Sequence, residues 1–266
     1  ALGYEAGKAI TTGGANVILG SFAGDGLQTT YNHVIIGYGA GSAAITNHGQ
    51  TLVGYYAGNA ITSGERNTAL GYHALSGLTV GDDNIAIGYQ ALEHLGTSTH
   101  ANRNIAIGTY AMISAANNNI NDNIAIGFSA LSQSIHSDGD ANVAIGSNTM
   151  QEMTAGAWGM VGVGVGALQK VNHADSVGST AVGYFALNAN VSGIGNVAVG
   201  HQALKVNVDG DQSTAVGFEA LKAQTGTAGE VANTAVGYQA GLAITTGIQN
   251  TAVGTGALKV SDDGSA

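Results

Sequence analysis

Short acidic turns are the residues of this chain with the clearest capacity for chemistry. They occur at Asp82-Asp83, Asp138-Gly-Asp140, Asp209-Gly-Asp211 and Asp262-Asp263. Calcium ions prefer carboxylate and carbonyl oxygens on loops, so such turns could hold Ca²⁺. Asp and Gly also favour solvated turns that bind nothing, and the glycine-rich nonapeptide of calcium-binding β-rolls is missing. We therefore expect no cofactor, with Ca²⁺ at the acidic turns as the alternative.

Other motifs that could carry chemistry are incomplete. The eight histidines lack the paired spacing of a metal site, so no metal ligands are predicted. Gly3-x-x-x-Gly7-Lys8 is similar to a phosphate-binding loop, but it is one residue short and places Ala9 where a metal-binding hydroxyl belongs. Gly162–Gly166 is similar to a dinucleotide loop, yet no helix is predicted after it. Since no catalytic triad or carboxylate pair stands out, we predict that the chain is not an enzyme.

The middle of the chain is irregular and contains the candidate binding residues. Longer connections cover 93–103, 113–122 and 132–141, and the only tryptophan, Trp158, lies in a degenerate segment. Insertions in repeat proteins often bind partners, although drift in a spacer gives the same pattern. The candidate receptor-binding residues are Trp158, Glu93, His94, His100, Arg103, His136, Asp138 and Asp140. A net charge of −10 favours a neutral or weakly basic glycan over an acidic one.

Composition restricts the class of protein. Of 266 residues, 43 are Gly, none is Pro or Cys, and only 9% are charged. The glycines do not fall at every third position, which excludes collagen, and the missing cysteine excludes disulfides and thiolate metal sites. The acidic balance argues against nucleic acid and anionic membranes as partners. No apolar run is long enough to span a membrane, so we expect no membrane insertion.

These residues are positioned by a repeat that runs along the whole chain. A nine-residue phrase of the form Asn-Thr-Ala-Val-Gly-x-x-Ala-Leu recurs fifteen times, at spacings of 17 to 20 residues. We call its central glycine the corner glycine. The fifteen are Gly3, Gly20, Gly37, Gly54, Gly71, Gly88, Gly108, Gly127, Gly146, Gly164, Gly183, Gly200, Gly217, Gly237 and Gly254. A fixed period near twenty residues predicts a solenoid, in which each repeat buries its apolar face against its neighbours.

The three residues before each corner glycine predict a short strand. An aliphatic residue stands directly before the glycine in all fifteen copies, Ala usually stands two before it, and Thr, Ile or Val three before it. This alternation predicts a parallel strand with two buried faces. We expect the larger side chains to fill the core of the coil and the alanines to face a neighbouring chain. A second, weaker strand is predicted at 9–13, 60–64 and 243–247, which would give two strands and two corners per coil.

Asparagine and aromatic residues recur at fixed places in the phrase. The phrase opens with Asn16, Asn67, Asn84, Asn104, Asn123, Asn142, Asn196, Asn233 and Asn250. Stacked in register, these side chains would form an amide ladder. Thirteen of the fifteen aromatic residues occupy the two positions after a corner glycine. They would form either a packing ladder at a corner or a row of platforms for sugar rings.

The repeat resembles two related groups of proteins. Asn-Thr-Ala-Val-Gly-Tyr-Gln-Ala at 233–240 is similar to the repeat of bacteriophage tail fibres, and Val-Ala-Ile-Gly at 143–146 is similar to the head repeat of trimeric autotransporter adhesins. The resemblance implies a left-handed parallel β-roll that assembles around a threefold axis. The period is longer than the roughly 14 residues of the adhesin head, which favours the viral fibre.

The sequence therefore predicts an all-β parallel β-solenoid, a β-roll of about fifteen coils assembled as a parallel homotrimer, and the resemblance implies that the roll is left-handed. Residues 1–266 are expected to be one repeat array cut from a longer fibre protein. The predicted function is the shaft or receptor-reaching part of a phage tail fibre, in the virion, binding a host-surface glycan or protein receptor. The alternatives are a bacterial surface adhesin head, extracellular and on the cell surface, and a carbohydrate-degrading tail spike.

Overall fold

A computed structural model describes residues 1–93, 101–113, 120–133, 139–153, 156–173, 176–226 and 229–259. Candidate residues His94, His100, His136 and Asp138 and the acidic turn at 262–263 lie outside these ranges. The chain divides into two compact units, unit 1 at 1–137 and unit 2 at 138–266. The described residues form no helix, and hence none that could cross a membrane.

Unit 1 is a parallel β-solenoid with one three-residue strand per coil. The strands are β1 (Val17–Leu19), β2 (Val34–Ile36), β3 (Thr51–Val53), β4 (Thr68–Leu70), β5 (Ile85–Ile87), β6 (Ile105–Ile107) and β7 (Ile124–Ile126). Each strand pairs in parallel with the next along the chain. Equivalent residues face each other, as in Ala86 with Ala106. The predicted strand and its parallel stacking are confirmed for these seven copies, whereas Leu2, before Gly3, forms only an isolated parallel bridge with Leu19.

Unit 2 repeats this arrangement. Its main strands are β8 (Val143–Ile145), β9 (Val161–Val163), β10 (Thr180–Val182), β11 (Val197–Val199), β13 (Thr214–Val216), β15 (Thr234–Val236) and β16 (Thr251–Val253). They pair in parallel in chain order. A separate two-stranded parallel sheet joins β12 (Gly210–Asp211) and β14 (Gly229–Glu230).

The prediction of a second strand in every coil is wrong. Residues 9–13, 60–64 and 243–247 form turns and bends rather than strands. Single backbone hydrogen bonds still cross between coils there, as from Thr62 N–H to the Thr79 carbonyl (2.9 Å). The physical reason is the backbone that precedes these segments. Gly58 begins a turn in which Ile61 N–H donates to the Gly58 carbonyl (3.2 Å), and the same bond joins Ile10 to Gly7 and Ile244 to Gly241, so these N–H groups are not available for a second ladder.

The prediction that alanines face a neighbouring chain is also wrong. The central residue of each main strand points into the coil: Ala69, Ala86 and Ala198 are fully buried. The Thr, Ile, Val and Leu residues on either side point outward, and Leu70 is 47% exposed. The interior is already filled from the far side by the buried Ala-Leu pair after the corner, such as Ala74 and Leu75. Only a small side chain fits between that pair and the strand.

Candidate functional site

The corner glycines form a column that brings successive coils into close contact. Gly88 has φ +134°, and a Cβ placed on it would lie 2.6 Å from the carbonyl oxygen of Gly108. Any side chain here would be strained and would also collide with the next coil. The column therefore aligns the residues that follow each glycine into continuous rows.

The first such row in unit 1 is a stack of tyrosines. Rings of Tyr38, Tyr55, Tyr72 and Tyr89 lie nearly parallel, with centroids 5.5, 5.1 and 5.1 Å apart. Tyr110 closes one end of the stack edge-on, at 5.5 Å from Tyr89. Each of the four stacked rings is still more than two-fifths exposed, because its edge points to solvent.

Unit 2 has a stack of its own at the same place in the phrase. Tyr184, His201, Phe218 and Tyr238 are nearly parallel, with centroids 5.2, 4.8 and 5.4 Å apart. Because the ring faces within each stack are covered by neighbouring rings, the inner rings expose mainly their edges. A sugar packs against an open ring face, so this geometry favours the packing ladder over the row of sugar platforms.

The asparagines that open the phrase form a buried ladder beneath the main strands. In unit 1 the side-chain oxygen of Asn67 accepts the backbone N–H of Asn84 (3.0 Å). Asn84 does the same for Asn104 (3.0 Å), and Asn104 for Asn123 (3.1 Å). In unit 2, Asn233 accepts from Asn250 N–H (2.8 Å). These amides satisfy backbone groups that the short strands leave unpaired, which is a structural role.

One rung of this ladder is a histidine. His33 is fully buried, and its Nδ1 accepts the backbone N–H of Gln50 (3.2 Å). Burial, and secondarily repulsion from His48, lower the pKa of His33 from 6.5 to about 4. The ring must be neutral to accept this hydrogen bond. His33 therefore acts as a rung that only the neutral imidazole can form.

The acidic turns bind neighbouring coils. Asp82 Oδ1 accepts the backbone N–H of Glu65 (2.8 Å), and Asp83 makes a bidentate pair with Arg66 (2.7 and 2.9 Å). The Arg66 guanidinium lowers the pKa of Asp83. In unit 2, Asp209 accepts from the Ser192 hydroxyl (2.6 Å) and Asp211 from the backbone N–H of Ile194 (2.8 Å). Within the described residues no group of three or more acidic or histidine side chains could hold a metal ion.

The candidate receptor-binding residues that the structure describes are dispersed. Glu93 is buried, with its Oε1 3.2 Å from Nδ1 of His73. Arg103 is exposed and makes a bidentate pair with Asp122 (2.6 and 2.9 Å), which lowers the pKa of that carboxyl. Only Asp140 and Trp158 occupy equivalent places in consecutive coils, where Gly159 N–H donates to the Asp140 carbonyl (3.2 Å).

Trp158 begins a short apolar row on unit 2, six residues before the corner glycine. Trp158 pairs with Val177 in a parallel bridge, and Gly195 N–H donates to the Val177 carbonyl (3.0 Å), which brings in Ile194. The indole is 54% exposed, whereas the two aliphatic side chains are half-buried. We call this surface the Trp158 strip; it comprises Trp158, Val177, Ile194 and the glycines that follow them, Gly159, Gly178 and Gly195.

Sequence reasoning identified Trp158 but missed the rest of the strip. The signal becomes visible when copies are aligned on their corner glycines, because three consecutive copies then read Trp-Gly, Val-Gly and Ile-Gly at the same place. Without the coil geometry, Val177 and Ile194 look like ordinary residues of irregular loops.

Comparisons with protein-family models, with curated proteins and with solved structures found no match.

Proposed function

We propose that this chain is a non-enzymatic structural segment of a trimeric fibre, the shaft or receptor-reaching part of a bacteriophage tail fibre. The observation that carries the proposal is the outward face of the main strands. On each unit this face is made of Thr, Val, Ile and Leu side chains in two parallel columns. In this proposal the coil is a left-handed roll, and three identical chains lie side by side in the virion or outside the cell.

The outward face is unusually apolar for a surface. In unit 2 one column contains Val182, Val199, Val216 and Val236, each exposed by more than a third. Contiguous apolar patches of this kind mark contacts with other proteins, and parallel sheets are normally covered on both faces. Covering the columns removes apolar area from water, at about 25 cal/mol per Å².

A second copy of the same chain is the partner that fits best. The columns repeat at every coil, so a partner needs the same repeat to stay in register along them. An identical parallel chain satisfies this requirement at each coil. The contact uses the β-branched outer residues, since the alanines are inside the coil.

Two measurements test the proposal together. Native mass spectrometry and light scattering should give a mass of three chains, and a stable monomer would contradict the assembly. An antibody raised against the 266-residue chain should decorate tail fibres of phage particles under electron microscopy. Labelling of bacterial cell surfaces in its place would identify an adhesin head, and polysaccharide cleavage by the purified chain would contradict the non-enzymatic role.

A further inference from the structure

The Trp158 strip differs from the same place in other coils. In several other coils these two positions hold polar or charged pairs, as in Glu65-Arg66, Asp82-Asp83 and Asn102-Arg103, whereas Gly14-Ala15 and Val231-Ala232 hold none. The polar and charged side chains bind the next coil through ion pairs and hydrogen bonds. At the strip the pairs are replaced by an apolar residue and a glycine in three consecutive coils. The three strip coils are joined to one another there by backbone hydrogen bonds, from Gly178 N–H to the Trp158 carbonyl (3.4 Å) and from Gly195 N–H to the Val177 carbonyl (3.0 Å).

The three glycines of the strip leave open space beside its apolar side chains. A Cβ placed on Gly159, Gly178 or Gly195 would meet nothing within 4 Å. Their backbone is left-handed, with φ of +63° to +65°, but this alone does not require glycine. Arg66, Asp83 and Gln212 adopt a similar φ, +53° to +60°, at the equivalent position. The fold thus tolerates side chains at this position. In the strip the position is glycine in all three coils, so no side chain projects beside Trp158, Val177 and Ile194.

The indole of Trp158 is more than half exposed. Within the described part of the chain it takes part in none of the ring–ring contacts that cover the stacked tyrosines. An exposed, rigid aromatic beside glycine backbone offers an apolar plane on which a sugar ring can pack. The strip spans two coil steps, about 10 Å, which is the scale of a short oligosaccharide.

We propose that the Trp158 strip binds a neutral oligosaccharide, with one sugar ring packed on the indole and the next over Val177 and Ile194. This inference rests on the proposed attachment function and specifies its ligand. Acidic side chains occupy the strip position in the coil at each end, Asp140 before Trp158 and Asp211 after Ile194. Their carboxylates disfavour sialic or uronic acids by charge repulsion.

The size of the strip favours a saccharide over a second copy of the chain. A stable protein interface buries about 800 Å² per partner and uses about 20–30 residues on each side. The strip offers three apolar side chains. The outward strand face, in contrast, extends over every main strand of each unit and is the surface proposed for assembly.

The test uses the whole chain and a printed panel of neutral oligosaccharides of glucose, galactose and N-acetylglucosamine, together with sialylated and uronic-acid counterparts. The wild-type chain should bind at least one neutral member. Trp158→Ala should weaken that binding about tenfold or more. Gly178→Gln should do the same by covering the strip, while the fold tolerates it, as Gln212 shows at the equivalent position. Gly49→Gln is the matched control, because Gly49 occupies this position in unit 1, and it should leave binding unchanged.

Three outcomes would overturn the inference. They are no binding to any neutral member, preferred binding of acidic members, and binding that Trp158→Ala and Gly178→Gln leave intact. A loss of trimer mass in either variant without glycan binding by the wild-type chain would assign the strip to assembly. Failure of the glycan test leaves the fibre proposal standing, because that proposal is decided separately by native mass and by antibody labelling of particles.

Discussion

Leu52 and Gly58 share one volume inside the coil of unit 1. A Cβ on Gly58 would lie 2.6 Å from Leu52 Cδ2. Leu52 therefore fits at the strand centre because Gly58, four places after the corner glycine, has no side chain. The same exchange recurs along the chain. A large residue at the strand centre goes with Gly four places after the corner, as in Ile35 with Gly41. Alanine at the strand centre goes with Leu or Met there in most copies, as in Ala86 with Leu92, and with Gly in two, Ala1 with Gly7 and Ala235 with Gly241.

This exchange predicts strong coupling between the two positions. Leu52→Ala alone should lower the free energy of unfolding by about 2–4 kcal/mol, because it leaves a cavity. Gly58→Leu alone should also destabilise, by about 1–3 kcal/mol, through overpacking. The double variant should recover most of both losses, since it recreates the Ala–Leu pair of other coils. Denaturant unfolding of the four proteins measures the coupling.

A distant pair provides the control for this cycle. Gly7 lies in another coil, where a Cβ would meet Ile10 Cδ1 at 2.9 Å. Leu52→Ala combined with Gly7→Leu should show additive losses. Additive losses for Leu52→Ala with Gly58→Leu as well would mean that the two residues do not share a volume.

The degenerate segment of unit 2 contains a second compensating pair. Thr149 replaces the usual alanine after the corner, and Gly162 replaces the usual alanine of the next strand. A Cβ on Gly162 would lie 2.7 Å from the Thr149 methyl. Gly162→Ala should therefore lower the melting temperature. Adding Thr149→Ser should restore it, because serine lacks the methyl but keeps the hydroxyl that donates to the Gly164 carbonyl (2.6 Å).

Thr149→Ala checks which part of the threonine matters. In the Gly162→Ala background it should relieve the clash but lose the hydroxyl hydrogen bond, at a cost of about 1 kcal/mol. It should consequently rescue less than serine does. If Gly162→Ala has no effect in the wild-type background, the methyl is not what excludes a side chain from that position.

His33 predicts a pH dependence of stability. The pKa of His33 is about 4 in the folded chain, below its ordinary value of 6.5. Between these two pH values the unfolded chain binds a proton at this histidine and the folded chain does not. The contribution of neutral His33 to the free energy of unfolding is fully present above pH 6.5, declines as the pH falls from 6.5 to about 4, and is lost below that. The interval corresponds to at most about 3 kcal/mol. Unfolding midpoints measured between pH 7 and 4 should show the decline.

Replacing His33 shows how much of the pH dependence of stability comes from this residue. His33→Asn supplies the acceptor that most other rungs use, and it cannot titrate. The variant should lose the His33 part of the decline between pH 6.5 and 4 while staying folded. His48→Asn removes the second cause of the low pKa and should shift the decline only slightly, since burial is the main cause. An unchanged profile in His33→Asn would exclude this histidine as its source.

The outward strand face predicts how assembly responds to charge. Val199→Asp places a carboxylate in the exposed column of unit 2 and should convert the trimer to monomers. Gln202→Glu adds the same charge at a corner position that already holds Glu219 in the next coil, and it should leave the trimer intact. Native mass spectrometry of both variants decides the point. If both assemble like the wild-type chain, this face is not the interface.

The strand and its stacking could be predicted from the sequence, because an aliphatic residue and a glycine recur together at a regular period. The direction of the strand faces could not, since Ala86 and Ile87 are both apolar and alternation alone does not say which is inside. The buried Leu92 across the coil decides it. The candidate site was predicted as far as Trp158. Val177 and Ile194 could not be assigned to the site without knowing which residues of successive coils lie side by side. Glu93 and Arg103 lie apart from Trp158 and contact His73 and Asp122 in neighbouring coils, which the sequence does not show.

The pairing of strand centre and corner residue also restricts how such a chain can change its length by recombination. Duplication of a coil beside itself preserves the volume shared by Leu52 and Gly58. Leu52 and Gly58 lie on either side of the corner glycine of one copy, so a crossover between them can join Leu at the strand centre to Leu four places after the corner and create a collision. Exchanges that keep each copy whole therefore preserve the shared volume, and crossovers inside a copy are selected against where the two copies differ in this pairing.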